Sequence, residues 1–275
     1  MNEWIQLILM AVLQGVTEFL PVSSSGHLMI LGNLCGLNPE TNLSLGIFMH
    51  TGSFFAILLF YFKLLLGFFR KDQLHLMLMV IVGTIPAGMA GVLIKKAGLG
   101  GEILENPLIT GMAFLVTGML LRLTAKEKLL PDQEKAVTVK EINLKQALIV
   151  GLVQMGAILP GISRSGSTIA AGLFCGIKRE DAAAFSFLLA LPAIGGATLL
   201  EVIDLASAQG GTSLAAYSIA QILTAMFVSF ATSLGALLAV VSVVKKSKLS
   251  LFSWYLFALG IIVLIWQFSL LNGAK

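Results

Sequence analysis

The sequence predicts an all-α integral membrane protein. It reads as six transmembrane helices plus two re-entrant helical hairpins, arranged as an inverted internal repeat. Three observations carry this. Of 275 residues, 57% are hydrophobic and only 12% charged, where a soluble domain carries about 25% charged residues; mean hydropathy is +0.94. Apolar runs near the roughly 20 residues needed to cross a bilayer recur along the chain. Two of those runs are broken by proline, serine and charge, in the same pattern and 140 residues apart.

The first run, 3–20, is apolar but holds Gln6, Gln14 and Glu18. Pro21 ends it, because proline lacks an N–H and clashes with the preceding turn. Ser23 or Ser24 is placed to cap a short second helix reaching about Leu34. Neither piece spans alone, so a hairpin that enters and leaves on one face is expected. Three ordinary spans follow, near 43–62, 74–95 and 107–123. The stretch 124–142, rich in Lys and Glu, reads as a solvated loop. Residues 144–160 are apolar again and break at Pro160 and Gly161, with a short helix after Ser165. Spans near 181–203, 215–243 and 250–271 complete the chain.

One membrane domain is therefore expected, with halves at 1–123 and 143–275 joined by the loop 124–142. Shifting the chain by 140 aligns Gln6 with Gln146, Gln14 with Gln154, Ser23 with Ser163, Ser25 with Ser165 and Gly26 with Gly166. Gly32 meets Gly172, Cys35 meets Cys175 and Gly36 meets Gly176. Each half has an odd number of crossings, so the second is inverted and the two hairpins enter from opposite faces. Inverted repeats with sites at broken helices are a known membrane architecture. Basic residues follow the positive-inside rule. With 63–73 taken as cytoplasmic, the inner segments hold Lys63, Arg70, Lys71, Arg122, Lys126, Lys128, Lys135, Lys140, Lys145, Lys178, Arg179, Lys245, Lys246 and Lys248. The outer ones hold Lys95, Lys96 and Lys275.

A net charge of +4, scattered along the chain, gives no nucleic-acid footprint. Cys35 and Cys175 make no disulfide framework. The opening MNEWIQLILM lacks a basic n-region, so no cleavable signal is expected.

The chemistry sits at the two breaks. Charged side chains in membrane segments cost roughly 2.5–3.5 kcal/mol on insertion scales and are functional candidates by default. Gln14 and Glu18 share a helix face at i, i+4. The carboxylate suits a hard divalent cation, with the amide as a weaker companion and substrate phosphates completing the shell. Ser23, Ser24, Ser25 and Gly26 open a helix whose backbone N–H groups favour phosphate. His27 lies three residues past Ser24, an imidazole near a hydroxyl, as in general-base arrangements. Arg164 needs an anion, and its planar fork suits phosphate. Ser163, Ser165, Gly166 and Thr168 supply a second helix start with hydroxyl donors. The plain alternatives are a serine cap that binds nothing and a Glu18–Arg164 pair that only holds structure. His50 and His75 read as structural and interfacial. Gly83, Gly88, Gly91, Gly195 and Gly196 read as points of close helix approach. The two breaks are expected to meet and hold a diphosphate.

At QGVTEFLPVSSSGH and PGISRSGSTIAAGL the chain resembles the undecaprenyl-pyrophosphate phosphatases of the bacitracin-resistance type, over essentially its whole length. The resemblance implies removal of the terminal phosphate from a polyprenyl diphosphate, with a divalent cation (Mg or Ca), in the bacterial inner membrane and at its external face. It assigns catalytic or binding roles to Glu18, His27 and Arg164. Ser23 and Ser24 would contact phosphate, while Ser163 and Ser165 would help seat it. The family's first acidic position is often Glu, and here it is Gln14, which weakens a two-carboxylate metal site. The nucleophile stays open between Ser24 activated by His27, His27 itself, and water placed by Glu18; Ser24 is favoured. The rival reading is a transporter of polyprenyl phosphate; a bare structural scaffold is a third. Expected partners are the lipid substrate and membrane lipids, with association between copies left open.

Overall fold

A computed structural model describes the chain except residues 1, 38, 69–72, 99–103, 105, 133, 207–216 and 274–275. Arg70, Lys71 and Lys275, and the start of the fifth expected span, lie outside the described residues. Eleven α-helices follow one another among the described residues. They are α1 (Glu3–Phe19), α2 (Ser24–Leu34), α3 (Pro39–Phe60), α4 (Phe62–Gly67), α5 (Leu74–Lys96), α6 (Pro107–Leu123), α7 (Leu144–Gly156), α8 (Arg164–Phe174), α9 (Arg179–Ala206), α10 (Ile219–Lys245) and α11 (Phe252–Gly273). Among the described residues five stretches are long and apolar enough to cross a membrane: Thr41–Phe60, Leu74–Lys96, Arg179–Ile203, Ile219–Lys245 and Leu249–Leu270. Pro107–Leu123 and Leu144–Gly156 are shorter apolar helices. The span expected at 43–62 ends at Phe60, because Tyr61 leaves helical geometry at φ −100°, ψ 18° before the short α4.

Both broken runs fold as helix, break, helix. α1 ends at Phe19 and α2 starts at Ser24; α7 ends at Gly156 and α8 starts at Arg164. The spacing of 140 persists in detail. Ser23 and Ser163 are the N-caps, each accepting from the backbone N–H three residues on, at Gly26 and Gly166. Cys35 and Cys175 are the C-caps, and Gly36 and Gly176 follow with positive φ.

The halves interlock. α1 packs on α10 and α7 packs on α5, so each broken run rests on a helix of the other half; α3 also packs on α10, and α6 on α11. Small residues permit this. A Cβ on Gly151 would strike the backbone of Gly83, and one on Gly15 would strike α10 at Thr232 and the Ser229 carbonyl. Gly88, Gly91 and Gly196, expected as further points of close approach, face open space. The core runs from Phe19 and Val22 through Phe114, Ile169 and Leu173 to Phe185, Phe187 and Leu189. Large apolar residues such as Leu78, Ile85, Phe227 and Ile262 are exposed on the outside, as expected of a surface solvated by lipid.

The loop 124–142 is more ordered than its charge suggests. Ala136, Val139 and Ile142 are buried. Val137 pairs with Ile177 in a short parallel bridge, and His75 Nε2 donates to the Ile142 carbonyl at 2.7 Å. Glu141 accepts from the Thr138 backbone N–H and hydroxyl at 2.8 and 2.7 Å. Those bonds favour the charged carboxylate and hold its pKa below the ordinary value. The loop thereby ties the foot of α8 to the start of α5.

Candidate active site

The two breaks meet. Ser23 Oγ accepts from the Gly161 N–H at 3.0 Å. Ser165 Oγ donates to the Leu20 carbonyl at 3.1 Å. Arg164 Nη2 pairs with Glu18 Oε1. Three links therefore join segments about 140 residues apart. Thr117 of α6 holds the second break: its hydroxyl donates to the Gly161 carbonyl at 2.9 Å and accepts from the Ser163 N–H at 3.1 Å. Gly161 has φ +96°, and a Cβ there would meet the Thr110 carbonyl, so glycine is needed twice over. Ser23 adopts φ 69° without being glycine. Such strain persists where the surroundings over-determine it, often at functional sites.

Glu18 is the hub. It is buried and receives four side chains. Ser24 Oγ donates to Oε2 at 2.6 Å and Gln14 Nε2 donates to Oε2 at 3.0 Å. His50 Nδ1 lies 2.9 Å from Oε2, and Arg164 holds the other oxygen. Arg164 Nη1 also donates to the Ser186 carbonyl at 3.3 Å. Thr168 is turned away: its hydroxyl lies 2.7 Å from the Arg164 carbonyl and 2.6 Å from Ser186 Oγ, so it braces α8 against α9. Ser25 Oγ lies 3.4 Å from Ser23 Oγ, and Ser163 Oγ caps the Gly166 N–H at 3.1 Å.

His27 is not bonded to Ser24 in the way the sequence suggested. Its Nδ1 donates to the Ser23 carbonyl at 2.8 Å and its Nε2 contacts the Tyr255 hydroxyl at 2.6 Å. The partner of Ser24 is Glu18. His50, expected to be structural, stands instead against Glu18 and Gln14. The missed signal was the helical face: His50 shares α3 with Ser53, and α3 closes on α10, which carries α1. Tyr255 was not singled out, since an aromatic near a helix start is common in membrane proteins.

The Gln14–Glu18–His50 group tests the expected cation. Gln14 Nε2 lies 2.5 Å from His50 Nδ1, and both lie within 3.0 Å of one carboxylate oxygen. Meanwhile Gln14 Oε1 is buried with no hydrogen-bond partner. An imidazole nitrogen and a carboxylate oxygen this close, beside an amide whose own oxygen is left unpaired, are groups that suit a divalent cation. One carboxylate is enough where substrate phosphates complete the shell. Among the described residues no cluster of three or more His, Cys, Asp or Glu stands ready to hold a metal alone. The residues fit a partial site, finished by an anion.

The family model for "Bacitracin resistance protein BacA" matches residues 7–262. The chain belongs to that family. It is 38% identical over 292 residues to an undecaprenyl-diphosphatase of Desulfatibacillum aliphaticivorans, covering 97% of this chain and 99% of the relative. It is 39% identical over 267 residues to one of Rhodopirellula baltica, covering 96% and 98%. A third, undecaprenyl-diphosphatase 3 of Bacillus cereus, is 36% identical over 267 residues, covering 97% and 98%. The matched region of the family includes both breaks and Tyr255.

Proposed function

We propose that this membrane protein hydrolyses undecaprenyl diphosphate to the monophosphate and inorganic phosphate, recycling the carrier lipid used for cell-wall synthesis and so conferring bacitracin resistance. Family membership and the names of its full-length relatives support the reaction. The observation that carries the site is the meeting of Arg164, Glu18 and Ser24 at two capped helix starts.

At rest Glu18 occupies the place of an anion against Arg164. The terminal phosphate of the substrate takes that place, and the N–H groups at the starts of α2 and α8 face its oxygens. Ser24 is the nucleophile, and Glu18, already its hydrogen-bond acceptor, takes the proton. The bridging P–O bond breaks and polyprenyl phosphate leaves; water then releases phosphate from Ser24 in the reverse sense. Gln14, Glu18 and His50 would hold the divalent cation (Mg or Ca), which when bound neutralises charge on the phosphates. The nucleophile is open to direct trial. Acid quench with labelled substrate is expected to trap phosphoserine, and a Ser24→Ala variant at full rate excludes it.

For topology, we read six crossings and two re-entrant hairpins, α1–α2 from outside and α7–α8 from inside. The matched caps at Ser23 and Ser163 and the interlocked halves support an inverted repeat. The lysine and arginine bias supports loops 63–73 and 122–145 inside, with the site opening to the external face of the inner membrane.

Purified protein in detergent tests the reaction. Inorganic phosphate should appear from a long polyprenyl diphosphate and fall on chelation. Lipid movement across sealed vesicles, with no phosphate released in detergent, would support a carrier instead.

A further inference from the structure

His27 is held on three sides. Its Nδ1 lies 2.8 Å from the Ser23 carbonyl, and its Nε2 lies 2.6 Å from the hydroxyl of Tyr255. Its ring lies parallel to that of Tyr255, 5.7 Å between centroids and 9° between planes, and meets Phe114 nearly at right angles at 5.4 Å. A carbonyl only accepts, so Nδ1 carries the hydrogen. In the neutral imidazole Nε2 is then the bare acceptor, and the Tyr255 hydroxyl donates to it. The tautomer of His27 is thus fixed by a carbonyl within its own hairpin and a phenol from α11. Which ring nitrogen is free is decided by the bond the other one makes.

The position of Tyr255 adds a second point. The residue is 47% exposed and has Leu251 and Trp254, both more exposed still, on the same helix or just before it. His27 is buried. The phenol is therefore partly exposed among apolar neighbours while its oxygen rests on a buried imidazole.

We infer that Tyr255 is a positioning residue for His27 in the proposed phosphatase reaction, on which this inference rests. It keeps the electron pair on Nε2 until the long-chain diphosphate binds, so that this nitrogen can take the proton of the water that releases phosphate from Ser24 while Glu18 returns its own proton to the serine oxygen. A reacting group whose orientation is set by a third residue is a recurrent arrangement.

Tyr255→Phe keeps the ring, the stacking and the fold while removing one oxygen. Two readouts follow. With purified protein in detergent and a long polyprenyl diphosphate, kcat should fall roughly ten- to a hundredfold, as misplacement of a reacting group does, while KM changes little. With protein carrying 15N-labelled histidine, the three histidines give few signals, and His27 is assigned by its loss in His27→Gln. Wild type should show a protonated Nδ1 and a hydrogen-bonded, unprotonated Nε2; Tyr255→Phe should move the Nε2 signal to that of a free acceptor. A normal kcat in Tyr255→Phe overturns the positioning role, and an unmoved Nε2 signal, or a wild type protonated on Nε2, overturns the contact. The spectrum needs no turnover, so failure of the phosphatase reading, seen as no phosphate release by wild type, is a separate result from failure of the Tyr255 contact.

Discussion

At the scale of residues, the site depends on Arg164 having an anion and Glu18 having four partners. Arg164→Ala should leave a folded protein with turnover down on the order of 10²-fold or more, as for removal of a donor to developing charge; phosphate release above a tenth of wild type would rule out contact with the transferring group. His50→Ala should raise the Mg²⁺ concentration needed for half-maximal activity about ten- to a hundredfold, at least the effect of losing a supporting group at a metal site. Activity titrated against Mg²⁺ reads this, and an unshifted curve would make His50 a packing residue. Glu18, Ser24 and Arg164 were legible in the sequence because charge and hydroxyls stand out inside apolar runs. His50 was not, because one imidazole in a 22-residue helix gives no sign of which face it occupies. The partner of His27 was misread for a related reason: closeness in sequence favoured Ser24, whereas tertiary packing supplies Tyr255 from 228 residues away.

At the scale of elements, the two breaks were written in Pro21, Pro160 and the serines that follow. What holds them was not. Thr117 lies in an unremarkable apolar helix, yet it satisfies both the Gly161 carbonyl and the Ser163 N–H. Thr117→Val keeps the shape and orphans both groups. Each buried unpaired group costs about 1–3 kcal/mol, so the variant should unfold in detergent at a clearly lower temperature and lose activity in step. An unchanged melting point would mean that water or a shifted loop replaces the hydroxyl. The order within 124–142 was also hidden, since its lysines and glutamates mask three buried apolar residues, Ala136, Val139 and Ile142.

At the scale of the whole molecule, the 140-residue shift was readable and survives in the caps of both hairpins. The exchange of partners between halves was not readable, because helix pairing leaves little trace in apolar sequence. The two native cysteines report on the proposed topology. Cys35 and Cys175 end the two short helices at equivalent positions and are both half-buried. In intact cells a membrane-impermeant maleimide should modify Cys35 alone, with Cys175 reacting only after permeabilisation. Equal labelling of both from outside would contradict opposed hairpins.

The ion pair between Arg164 and Glu18 also bears on selectivity. A guanidinium left bare would be blocked by whatever small anion happened to be abundant, the released phosphate included. Tethering a carboxylate beside it keeps a rival permanently at hand, at an effective concentration that a free monovalent ligand does not match. In the proposed reaction a ligand that brings several contacts at once, a charged head with a long apolar tail, displaces it from Arg164. The same carboxylate then returns, in that proposed reaction, to the guanidinium when the cleaved ion departs, so that the product is displaced from within.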